Sequence, residues 1–136
     1  MNKQERLRNR YWAIHDGRAI GYWTPILWHL ALRRDPMAMT MLGDTFSDAG
    51  RMGDPFSQSG LCYRAYRRGY FIGAQHLAMN AFNKRDLAGY RHWLRRAARA
   101  GDEDAERGLR RFETRLPHEN AALIGRRRPY RSYDFE

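Results

Sequence analysis

Cysteine is almost missing from this chain. Cys62 is the sole thiol in 136 residues, which excludes an internal disulfide and argues against a cysteine-based metal site. Lysine is scarce as well: of 25 basic residues only Lys3 and Lys84 are lysines. No apolar run approaches the roughly 18 residues of a membrane span, so no membrane role is expected. No HExxH, no Cys–His pair at ligand spacing and no glycine-rich phosphate loop occurs, and His15, His29, His76, His92 and His118 fall in separate segments. The expectation is therefore a chain that is no enzyme and uses no metal and no cofactor. The opening MNKQERLRNR is charged and leads into no apolar signal core, so the expected location is the cytoplasm.

Positive charge and aromatic side chains are abundant. The 25 basic residues face 15 acidic ones, a formal net charge of +10, and aromatics make up 13% of the chain, with four Trp and eight Tyr. That aromatic content is too high for a disordered polymer, and 136 residues predict one domain with a modest core. The charge favours acidic partners and speeds encounter with them without saying what kind they are. Arginine's planar fork suits bidentate contact with carboxylate or phosphate, although arginine bias also follows from GC-rich coding.

The clearest local pattern is Asp86–Gly101, DLAGYRHWLRRAARAG. Asp86 reads as an N-cap, the apolar face runs through Tyr90, Trp93, Leu94, Ala97 and Ala98, and Gly101 supplies a C-cap. Trp93 is expected to be buried between paired helices. Asp102 then caps a helix with Ala105, Leu109 and Phe112 on its apolar stripe, and Asp102, Glu103 and Asp104 offset its dipole. The same beat occurs upstream, at Ala38, Leu42, Gly43 and Phe46 and again at Gly73 and Leu77. The intervals from Ala38 to Gly73 and from Gly73 to Ala105 are 35 and 32 residues, in the range of helical-hairpin repeats. Asp54 to Gly69 matches Asp86 to Gly101 in length and predicts a helix begun by Asp54-Pro55, as Asp35-Pro36 begins another. Thr24 with Pro25 predicts a third start of this kind. Near the N-terminus, residues 2–16 read as an amphipathic helix with Leu7, Tyr11, Trp12 and Ile14 inward, broken at Asp16-Gly17.

Asp86, Trp93, Ala97, Ala98 and Gly101, with Ala38, Leu42, Gly43 and Phe46, resemble the Sel1-like repeat, a relative of the tetratricopeptide repeat. The earlier copy departs from that pattern at Gln58, Leu61, Cys62 and Tyr66. The resemblance covers roughly Thr24 to Pro117 and implies an all-α fold: a short right-handed α-solenoid of helical hairpins, with about six to seven helices. The expected organisation is a capping helix and loop over residues 1–23, repeats over 24–117 and a tail over 118–136. The family resemblance implies a non-catalytic protein-binding module, as an adaptor or scaffold subunit or an immunity protein that blocks a toxin.

In such solenoids the first helix of each repeat lines the binding surface. On a helical wheel this face carries Thr40 and Asp44, then Gln75, Met79 and Phe82, then Arg107 and Arg111. With the +10 charge, these residues point to a protein partner with an acidic surface. Phe82 has two readings: it stands on that face, or it joins Ala74 and Ala78 in the core. The alternative function is nucleic-acid binding through Arg126, Arg127, Arg128 and Tyr130, where arginines neutralise phosphates and the aromatic ring stacks bases. Cys62 reads as a small core residue rather than a nucleophile.

Overall fold

A computed structural model describes residues 1–46 and 48–115, and among these the fold is all-α, with seven helices and no strand. The expected basic tail residues Arg126, Arg127, Arg128 and Tyr130, and the expected short turn at 119–124, lie outside the described residues. The chain divides into two compact units, one spanning Met1–Tyr70 and one that begins at Phe71.

In the first unit, α1 (Lys3–His15), α2 (Thr24–Leu32), α3 (Pro36–Gly43) and α4 (Gln58–Arg67) each pack on the next helix in the chain. Asn2 and Glu5 close a capping box on α1, which ends at Asp16 with Gly17 at φ +79. Tyr11 and Ile14 are buried as expected, but Trp12 stands at the surface, edge-on to Tyr11 and His15. The core is made of large side chains: Tyr11, Leu27, Leu30, Met39, Leu42 and Leu61 are all fully enclosed.

Two helix starts differ from the sequence reading. Trp23, not Thr24, occupies the cap position of α2, in helical conformation and with no side-chain cap bond. Asp54-Pro55 starts no helix. Asp54 instead accepts a bond from the Phe56 amide, and Ser57 caps α4 by accepting from the Gly60 amide at 3.0 Å. The turn folds back onto the first turn of α4, where a Cβ on Gly60 would collide with the Asp54 carbonyl oxygen. Only glycine fits there.

The second unit is built from α5 (Phe71–Asn83), α6 (Leu87–Arg99) and α7 (Glu103–Arg115), with α6 packed on both neighbours. Asp86 caps α6 through the Gly89 amide at 2.9 Å, as the sequence predicts. The buried residues here are small: Gly73, Ala74, Ala78, Ala81, Ala97 and Ala105 surround Leu77 and Leu94. Trp93 is only half-buried and meets His92 edge-on rather than filling a closed interior.

The helix ends repeat. After α2, α4 and α6 the residues Arg34, Gly69 and Gly101 take positive φ, and each is followed by an amide bonded five residues back: Asp35 to Leu30, Tyr70 to Ala65, Asp102 to Ala97. These are Schellman ends, spaced at the intervals read from the sequence. α5 ends in the same way, with Arg85 at φ +61 and the Asp86 amide bonded to the Ala81 carbonyl. Arginine at such a position costs about 1 kcal/mol relative to glycine, because its Cβ crowds the backbone.

Candidate functional site

The expected binding residues separate once burial is known. Thr40 does not lie on an exposed face: it is 2% exposed, and its hydroxyl donates to the Pro36 carbonyl at 2.7 Å within α3. α3 is only eight residues long and both sides of it are covered, so a helical wheel could not find its outward face. Asp44 is exposed just past the end of α3 and accepts from the Gln58 side chain at 3.3 Å. Gln75 is also corrected, because its amide donates to the carboxylate of Asp102. It is half-buried and braces the cap of α7 instead of facing a partner.

Met79, Phe82, Arg107 and Arg111 are exposed as expected. Met79 is 52% and Phe82 49% exposed, which places Phe82 at the surface rather than in the core beside Ala74 and Ala78. A row of rings backs it. Phe82 lies 5.1 Å from Tyr90, and Tyr90 lies 5.1 Å from Phe112 in a T-shaped contact, so the row crosses α5, α6 and α7. Burial raises the Tyr90 phenol above its ordinary value of 10.0. Phe82 also borders an open cleft of about 530 Å³ with Asn83, Arg85 and Leu87. Arg107 pairs with Asp104 one turn earlier on α7, while Arg111 makes no ion pair among the described residues. The geometry thus offers an apolar anchor, held from behind, with a cationic side chain in the same cleft.

Two features escaped the sequence reading. Arg34, Arg64, Arg67 and Arg68 line a second open groove of about 530 Å³ in the first unit. The signal was present in the paired arginines at 33–34 and 67–68, at the C-terminal ends of α2 and α4, but such pairs read equally well as helix-end charges. The other feature is the α1–α2 loop, where Ile20 is 100% exposed and Tyr22 and Trp23 stand out beside it. Loop exposure has no periodicity to reveal it.

The chemistry available elsewhere is limited. Cys62 is fully buried, and burial, reinforced by the charge of Asp44, pushes its thiol up to about 12, far from the thiolate a nucleophile needs. Among the described residues no group of three or more His, Cys, Asp or Glu side chains is placed to hold a metal ion, and no helix is long and apolar enough to cross a membrane.

The fold defines an all-α protein of two small helical units. Comparison with protein-family models, with curated proteins and with solved structures finds no match to this chain.

Proposed function

We propose that this chain is a non-catalytic protein-binding module, a short α-solenoid of Sel1-like hairpins that serves as an adaptor or as an immunity protein. The repeat spacing and the recurring Schellman ends support the solenoid reading. The observation that carries the binding role is Phe82: a half-exposed aromatic, backed by Tyr90 and Phe112 and placed one turn after the exposed Met79. Rigid aromatic anchors of this kind dominate protein interfaces, and arginine is enriched beside them. The partner presents an acidic surface, matched by Arg85 in the cleft, by Arg107 and Arg111 on α7 and by the net charge of +10. The docking set is thus Met79, Phe82, Arg107 and Arg111, without Thr40 and Gln75.

The test is quantitative capture of the partner by the full chain, after nuclease treatment, against three variants. Phe82→Ala should weaken the complex by about 2 kcal/mol, the scale of an interface hot spot. Arg107→Glu with Arg111→Glu should slow association, with the melting temperature unchanged, because both side chains are exposed. Arg95→Glu with Arg99→Glu should leave binding intact. Capture that resists the first two variants, or that disappears with nuclease, overturns the reading.

A further inference from the structure

We infer that the groove lined by Arg34, Arg64, Arg67 and Arg68 is a binding site for a compact oligophosphate anion, separate from the protein-docking face proposed above. Four arginines line it and, among the described residues, no acidic residue does. The last turn of α4 contributes Arg64 and Arg67, its C-cap contributes Arg68, and the Schellman end of α2 contributes Arg34. Two helix C-termini near the groove carry only about half a negative charge each, which four cations outweigh. Without a ligand these like charges repel one another. A multiply charged oxyanion relieves that repulsion and accepts the paired N–H bonds that guanidinium offers.

Two details show that the groove is built rather than incidental. Arg64 is held in place, with one guanidinium N–H donating to the Pro55 carbonyl at 3.1 Å and its charge centre 5.5 Å from the centre of the Phe56 ring. Arg34 stands at φ +65 where the two later repeats have Gly69 and Gly101 at their helix ends. The chain therefore keeps a side chain at a backbone position that favours glycine, and that side chain lines the groove. An observed backbone outlier of this kind points to a function for the residue. Among the described residues the lining holds no aromatic residue on which a nucleobase would stack and no apolar one to anchor a peptide. This favours the phosphate group itself as the ligand.

The full chain should be titrated calorimetrically with inorganic tripolyphosphate, inorganic phosphate, a hexaglutamate peptide and a short single-stranded oligonucleotide at about 0.15 M salt, where diffuse surface attraction is largely screened. Tripolyphosphate should bind with one-to-one stoichiometry and at least about tenfold more tightly than phosphate. Arg67→Ala with Arg68→Ala should weaken it by at least about tenfold, whereas Arg95→Ala with Arg99→Ala, which removes the same charge, should not. Arg34→Gly should lower the affinity while holding or raising the melting temperature, a combination that a purely structural Arg34 would not give. Three results would overturn the inference: equal loss in both double variants, no stoichiometric binding of tripolyphosphate, or tighter binding of the peptide or the oligonucleotide through these same arginines.

Discussion

Asp35 and Asp102, one in each unit, do the same work with different partners. Each is buried and caps a helix, Asp35 through the Ala38 amide and Asp102 through the Asp104 and Ala105 amides. Each turns its other oxygen to a side chain from an earlier helix at the same offset. In the first unit that side chain is Arg8, whose Nε lies 2.8 Å from Asp35 as an ion pair without hydrogen-bond alignment; in the second it is the neutral amide of Gln75. The interiors differ in the same spirit. The first unit encloses Tyr11, Met39 and several leucines, the second mainly alanines and glycine. Where the first unit has Phe46 against Trp28, the corresponding position of the second has Glu113, 1% exposed and paired with Arg91 at 2.8 Å. One backbone plan is thus closed in one unit by apolar volume and in the other by small side chains and buried polar contacts.

The largest effect is expected at that buried ion pair. Arg91→Ala should cost on the order of 3 kcal/mol, because it removes a charge partner 2.8 Å from a carboxylate that is 1% exposed. Replacing both with Met and Leu should recover most of that loss, since a buried pair often contributes no more than apolar side chains of similar size. Chemical denaturation of the three chains checks both statements.

The next largest effects should have opposite causes in the two units. Leu30→Ala empties a fully enclosed site and should cost about 2–5 kcal/mol, whereas Ala97→Leu overfills one and should cost about 1–3 kcal/mol. If Ala97→Leu were silent, the close helix packing ascribed to α6 would be wrong.

Arg8→Gln transplants the second unit's arrangement into the first. Arg8 is 40% exposed along its side chain, so its ion pair is screened and the exchange should change stability by less than about 1 kcal/mol. What should change is the salt dependence of unfolding, which weakens once the pair becomes a neutral contact. An unaltered salt dependence would show that Arg8 and Asp35 do not couple.

The smallest expected effect is on pH dependence. Burial, then Arg96 and Arg95, lowers the His92 imidazole below its ordinary 6.5, and burial, then Arg33 and Lys3, does the same at His29. The unfolded chain therefore takes up these protons before the folded one does. Both contributions are fully present above pH 6.5 and are lost as the pH falls below it, so stability declines on acidification. His92→Gln should flatten part of that decline, and NMR titration should place both imidazoles below 6.5.

How much of this was legible in the chain depends on how local the signal is. The span of α6 was readable, because Asp86, the apolar spacing and Gly101 are neighbours whose preferences agree, whereas Trp93, expected to be buried, is only half-buried. α4 was misplaced because Asp54-Pro55 looks like a helix start, and only the contact between the Asp54 carbonyl and Gly60 shows the turn folding back. Thr40 and Gln75 were misread because helical periodicity says which residues share a face, not which faces are covered.

By itself, then, the sequence determined what depends on neighbouring residues: an all-α chain of about six to seven helices, the caps at Asp35, Asp86 and Asp102, and the recurring interval at which helices end. Tertiary packing alone decided which polar side chains would be enclosed, as with Thr40, Asp35 and Glu113, and which apolar ones would stay outside, as with Phe82 and Ile20. It also decided that arginines from the ends of α2 and α4 would meet around one groove. The physical reason is that burial and charge clustering are set by which helices come together, and a residue's own neighbours in the chain do not carry that information.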